Sequence, residues 1–167
     1  MSKEYIFEQK KFLIRVVYAG FLAAIVCLLG IFHVSRGSSI KYLWMFVCFL
    51  CVYTIFTNFI SISYPRKIVI DNNTISFSAF NKSHVYSRKE LEGFKIKERH
   101  LVKKMYIRVN KPSLFEGRYW IDLKTYNDYE DLENDLLKIE ENIHPNSLKE
   151  KIKKNNAIYE ERKKEDV

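Results

Sequence analysis

The 167-residue chain carries 28 Lys and Arg against 20 Asp and Glu, a formal charge of +8, and 47% of its residues are hydrophobic. Its five glycines never cluster, so no Gly-rich phosphate loop can be built. Its four histidines are scattered and its three cysteines all fall in apolar runs, which gives the polar part neither a metal-ligand spacing nor a disulfide.

In chain order, residues 1–15 read as a short amphipathic, cytoplasmic lead-in, with Phe7 and Phe12 able to lie at a membrane interface. Residues 16–34 then contain no charged side chain in 19 positions, and residues 42–64 none in 23. As helices these runs span about 28 and 34 Å, close to the roughly 30 Å of a bilayer core. The first is followed at once by the second, which a cleavable signal peptide would not be. The connection SRGSSIK, from Ser35 to Lys41, is too short for anything but a turn, so residues 16–64 read as a two-helix transmembrane hairpin. Lys3, Lys10, Lys11 and Arg15 precede the hairpin and Arg66, Lys67 and Lys82 follow it, against Arg36 and Lys41 in the turn. The positive-inside rule therefore predicts a two-pass cell-membrane protein with both termini cytoplasmic.

Each span has a face of small or weakly polar residues: Gly20, Ala24 and Cys27 on the first, and Cys48, Cys51, Thr54, Asn58 and Ser61 on the second. Small residues permit close backbone approach and Thr, Asn and Ser can hydrogen-bond across the contact, so these residues are expected to pack the helices together. Counting depth from the turn sets Cys27 level with Cys48, Ala24 with Cys51, and Gly20 near Thr54 and Ile55. A soft-metal site of three thiols and simple small-residue packing are alternative readings of that level. The spans contain no acidic residue to carry a proton or cation relay.

After Pro65 the period changes from helical to two. Strands are expected at Lys67–Ile70 and at residues 74–80, 84–87, 91–98, 104–110 and 118–123, with turns at Asp71-Asn72-Asn73 and at Asn81-Lys82. A helix follows, with Asn127 as N-cap and Glu130 three residues on. Tyr129, Leu132, Leu136, Ile139 and Ile143 form its apolar stripe, which should cover the open side of the sheet. The fold class is thus a membrane α-hairpin followed by an α+β domain over residues 66–143, an antiparallel barrel-like sheet capped by a helix. A charged helical tail over residues 144–167, restarting at SLKE, completes the chain.

The strand-turn-strand KIVIDNNTISFSAF and the stretch YWIDLKTYNDYEDLENDLLKIEEN, joined directly to a two-helix hairpin, resemble the bacterial pleckstrin-homology-like membrane proteins, including the YcxB-like group. The resemblance covers about residues 12–143. It implies a small sheet capped by a helix that binds lipids, peptides or protein partners, and it carries no catalytic motif.

Charge sharpens that expectation. Residues 66–110 hold eleven Lys and Arg against four Asp and Glu, a net +7, whereas residues 111–143 come to −5. Such a split suits a domain that turns one face to an anionic surface. In residues 91–110, apolar Phe94, Ile96, Met105, Ile107 and Val109 alternate with Lys95, Lys97, Lys104, Tyr106 and Arg108, which should share an outer face with Arg99 and Lys103 near the turn. These seven residues are the candidate lipid- or partner-binding set; ordinary solvated surface is the competing reading. The chain is expected to be a non-enzymatic membrane-anchored accessory module without cofactor. Its expected partners are anionic lipid headgroups and a protein of the membrane or cytoplasm, with self-association open and nucleic acid not expected. The alternative is a small immunity or stress-protection protein whose hairpin contacts a peptide toxin or transporter.

Overall fold

The computed structural model describes residues 2–37, 39–147 and 152. Two antiparallel helices, α1 (Gln9–Ser35) and α2 (Lys41–Ile60), are each long and apolar enough to cross a membrane. Their outward side chains, among them Phe21, Leu28, Phe46 and Phe49, are exposed. A soluble protein rarely leaves such a contiguous apolar surface uncovered.

Close packing holds the pair together. A Cβ on Gly20 would lie 2.2 Å from the Phe59 ring and one on Gly30 would lie 2.5 Å from Cys48 Sγ, so glycine at both positions lets the neighbouring helix approach. At the turn end the His33 and Trp44 rings stack with centroids 4.8 Å apart. At the other end both helices widen into π-helical turns, Leu13–Tyr18 and Phe56–Ile60. There the buried Asn58 donates Nδ2–H to Val16 O across 3.1 Å, the interhelical bond expected of the most polar residue in the spans.

Alternation builds the sheets. β1 (Lys3–Ile6), β2 (Lys67–Ile70), β3 (Thr74–Ala79) and β4 (Lys82–Ser87) form a four-stranded antiparallel sheet in sequence order. β5 (Phe94–Arg99), β6 (Lys104–Val109) and β7 (Arg118–Asp122) form a three-stranded one. Helix α3 (Tyr129–Ile143) closes the core with Leu132, Leu136 and Ile139 buried and Tyr129 and Ile143 at its margin. Phe77 of the first sheet stacks on Tyr119 of the second at 4.0 Å, both fully buried, which joins the two layers. The free edge of β5 is sealed by α3. Glu140 Oε1 accepts from Ile96 N at 2.8 Å and His144 Nε2 from Phe94 N at 3.2 Å, so side chains satisfy an edge that would otherwise be open.

The largest departure from the sequence reading is β1. The amphipathic lead-in is a strand of the domain, in register Tyr5↔Ile68 with β2, and Phe7 and Phe12 are buried in the core, not laid at an interface. The strap continues past β1: Phe7 N donates to Arg66 O and Glu8 N to Thr125 O, each at 2.7 Å, while Asn127 N donates to Ile6 O at 3.2 Å. The hairpin is therefore inserted between the first two strands of one sheet, and both its ends rise from the same side of the domain.

Two local expectations shift. The β3–β4 turn sits one residue earlier, on Phe80 and Asn81, both with positive φ (49° and 61°), the geometry a two-residue hairpin of matching twist requires. Asn adopts it readily and Phe does not. Phe80 is held there by its ring, which lies 5.4 Å from both the Phe12 and the Phe59 centroids at the base of the hairpin. Asn127 is not an N-cap; its Oδ1 accepts from Ile6 N at 2.6 Å, and left-handed Asp128 precedes the helix instead. The helical tail expected beyond Ser147 lies, apart from Ile152, outside the described residues.

Candidate functional site: a basic sheet face at the base of the hairpin

The second sheet buries one face completely. Phe94, Ile96, Met105, Ile107, Val109, Tyr119 and Ile121 all point into the core. Register then fixes the outer face: Lys95 stands opposite Arg108, Lys97 opposite Tyr106, and Arg99 opposite Lys104. β7 extends it, setting Arg118 beside Arg108, Trp120 beside Tyr106 and Asp122 beside Lys104. The Tyr106 and Trp120 rings lie 4.3 Å apart at the centre of this face.

Of the seven candidates, Lys95, Lys97, Arg99, Lys104, Tyr106 and Arg108 share the outer face as alternation requires. Lys103 does not. It takes a positive φ of 50° in the turn and its Nζ reaches Glu133 Oε2 of α3 at 3.2 Å, on the other side of the sheet. The β7 contribution of Arg118 and Trp120, and the acidic Asp122, were not anticipated.

Asp122 is paired with Arg15, whereas five cations of this face are unpaired among the described residues. Among the described residues Lys95, Lys97, Arg99, Lys104 and Arg108 have no carboxylate within ion-pair distance. Like charges directly opposite each other on adjacent strands repel, and Lys95–Arg108, Arg108–Arg118 and Arg99–Lys104 are all such pairs.

This face meets the hairpin. Arg15, in the π-helical segment of α1, pairs with Asp122. Trp120 N donates to Ser63 O at 2.7 Å, just past α2, and Phe115 of the β6–β7 loop packs on Phe56 with centroids 5.4 Å apart. Between these contacts lies a cavity of about 470 Å³. Val16, Ala19, Thr54 and Asn58 wall it from the helices, and Arg99, Lys104, Trp120 and Asp122 from the sheet. At the two ends of the sheet, Leu101 and Val102 in one turn and Leu114 and Phe115 in the other loop are exposed.

The helix-packing candidates divide. Gly20, Cys48, Cys51 and Asn58 lie in the interhelical contact, with Cys48 Sγ donating to Cys27 O at 3.6 Å. Ala24 is half-buried. Thr54 and Ser61 bond within their own helix, to Leu50 O (2.9 Å) and Thr57 O (3.2 Å), and Ser61 also meets Ser63 Oγ at 2.6 Å. Among the described residues no group of three His, Cys, Asp or Glu is placed to hold a metal ion.

Two polar clusters lie elsewhere. Asp135 of α3 receives Lys3 Nζ at 2.9 Å and the Tyr5 hydroxyl at 2.8 Å, tying β1 to the helix. Partial burial raises its pKa, but the hydrogen bonds from Lys3 and Tyr5 outweigh that and hold the carboxyl below the usual carboxylate value. Between β4 and β7, His84 Nδ1 and the Tyr86 hydroxyl meet the Tyr119 hydroxyl at 2.9 and 2.7 Å. Burial pushes the Tyr119 phenol up and the His84 imidazole down, so the trio satisfies a buried hydroxyl with neutral groups.

No family model, curated protein or solved structure matches this chain.

Proposed function

We propose that the protein is a non-enzymatic, membrane-anchored binding module whose basic sheet face addresses anionic lipid headgroups beside its own hairpin, as an accessory subunit of the cell membrane. The observation that carries this is the cavity shared by the hairpin and the sheet: Arg99, Lys104 and Trp120 face the same space as Ala19 and Thr54. The outer face of β5–β7 is thus turned towards the level at which the apolar helices enter a bilayer. Each Lys or Arg near an anionic surface contributes about 1 kcal/mol, and an interfacial Trp suits that depth.

The excess of Lys and Arg at the domain end of the hairpin supports a cytoplasmic domain, with both termini on that side. The division into a four-stranded and a three-stranded antiparallel sheet closed by a C-terminal helix supports a pleckstrin-homology-like domain, with its first strand placed ahead of the hairpin.

The test uses the full chain in bilayers containing spin-labelled phosphatidylglycerol or phosphatidylcholine. The protein should immobilise the anionic lipid preferentially and lose that preference as salt rises, since exposed charges are screened beyond about 8 Å at physiological ionic strength. Replacing Lys95, Lys97, Lys104 and Arg108 with Glu takes residues 66–110 from +7 to −1 and should abolish the preference. Equal immobilisation of the two lipids by the native chain would make the face ordinary solvated surface.

A further inference from the structure

The cavity at the hairpin base has the composition of a site for one molecule, beyond that of a diffusely charged surface. Its volume of about 470 Å³ falls within the range of small-ligand pockets, about 300–1,000 Å³. Three cations line it, Arg15, Arg99 and Lys104, against one carboxylate, Asp122, which is already engaged by Arg15. Arg99 and Lys104 are directly opposed across β5 and β6 without an ion-pair partner among the described residues. An anion seated between them would remove that repulsion and accept charge-assisted hydrogen bonds from both. The opposite wall comes from Val16, Ala19, Thr54 and Asn58 of the helices, so whatever binds must also tolerate an apolar flank leading into the spans. A soluble anion matches only half of this lining. An amphiphile with a phosphate ester at one end and acyl chains at the other matches both.

We propose that this cavity binds one anionic glycerophospholipid of the domain-side leaflet, its phosphate between Arg99 and Lys104 with Arg15 as the third cation, and its chains along the α1–α2 flank. The indole of Trp120, ring to ring with Tyr106, forms the boundary between headgroup and chains. This rests on the reading that the basic face addresses lipid and narrows it to a stoichiometric site.

Native mass spectrometry of the full chain in neutral detergent tests it, with phosphatidylglycerol, phosphatidylcholine and glycerol 3-phosphate as probes. A first phosphatidylglycerol adduct should form well before later ones and before any phosphatidylcholine adduct, and glycerol 3-phosphate should not displace it. R99Q/K104Q should weaken that first adduct at least about tenfold, the loss expected for two hydrogen bonds to a charged group. K95Q/K97Q/R108Q should weaken the later adducts more than the first. Ala19→Leu, which narrows the helix wall without touching charge, should also weaken the first adduct, and it serves if the double Gln variant fails to fold. Should the first adduct survive both R99Q/K104Q and A19L, the lipid lies elsewhere on the basic face and the site is wrong while the broader reading stands. Displacement by glycerol 3-phosphate would assign the cavity to a soluble phosphate ester. Equal adducts of the two lipids on every protein would overturn site and basic-face reading together.

Discussion

Two sets of cations in this protein behave differently. Four in the N-terminal strap and at the hairpin base are paired: Lys3 with Asp135 and Asp131, Lys67 with Glu4, Lys11 with Glu8, and Arg15 with Asp122. Those of the outer face of the second sheet, Lys95, Lys97, Arg99, Lys104 and Arg108, stand unpaired among the described residues, with Lys95 set opposite Arg108 and Arg99 opposite Lys104 across the strands. Apart from the local Lys11–Glu8 pair, the first group ties the strap and the base of α1 to the domain. The second opposes its own sheet, at a cost the fold bears in the absence of a counter-charge. The charge that ties the strap to the domain finds its partner inside the molecule, and the charge proposed to face lipid does not.

The sharpest way to break this contrast is to remove what anchors the paired side. Phe7→Ala deletes a ring 3% exposed that packs edge-on against Phe12 and Tyr126. It should cost about 3–5 kcal/mol, read as a fall in the denaturation midpoint of the purified full chain, with hydrogen exchange rising first in β2 as β1 detaches. Glu140→Ala leaves the Ile96 amide without its acceptor and should cost about 1–3 kcal/mol, with faster exchange along β5. Gly20→Leu forces a side chain into the Phe59 ring and should cost about 1–3 kcal/mol in the hairpin, seen as lower protein level and lower detergent-extracted stability.

The unpaired side should respond with the opposite sign. Arg108→Thr relieves repulsion with both Lys95 and Arg118, so in neutral detergent it should stabilise the chain by about 0.2–1 kcal/mol while weakening the preference for anionic lipid. A loss of stability instead would mean that the face is not under mutual repulsion.

The smallest effect is on pH dependence. The folded-state pKa of Asp135 is held below its ordinary value of 3.8. Its contribution is therefore complete above the unfolded value and is lost as pH falls through the lower folded one. Asp135→Asn should flatten the acid limb of the stability curve in that window and leave the neutral region little changed in slope.

Much of this architecture was legible before the structure, and the reasons differ by element. β2 is a four-residue apolar-alternating strand bounded by Pro65 and an Asp-Asn-Asn turn, and its limits follow from local signals alone. The shared face of Lys95, Lys97, Lys104 and Arg108 needs only the period of two. β1 was hidden because its one buried side chain, Tyr5, gives too short a pattern to separate from an amphipathic lead-in, and its partner lies beyond the entire hairpin. The Gly20 contact was placed about a turn away, near Thr54 and Ile55. Helix side chains lean towards the N-terminus, so the ring of Phe59 reaches back towards the turn end, and the π-helical widening of Phe56–Ile60 shifts the count further. The Arg15–Asp122 pair joins two elements that no local rule brings together.

The central claim is that the outer face of β5–β7 lies at the headgroups beside the hairpin, and Trp120 reports on it directly. With Trp44 replaced by Phe, Trp120 is the one tryptophan left of the two in the chain. Its fluorescence should be measured in bilayers where phosphatidylglycerol or phosphatidylcholine carries a quencher on the headgroup or at the end of a chain. The account predicts strong quenching from the headgroup label, more from the anionic lipid than from the zwitterionic one, and weak quenching from the chain end. Efficient quenching by acrylamide in the aqueous phase, with none from either labelled lipid, would place the face in open water and contradict it.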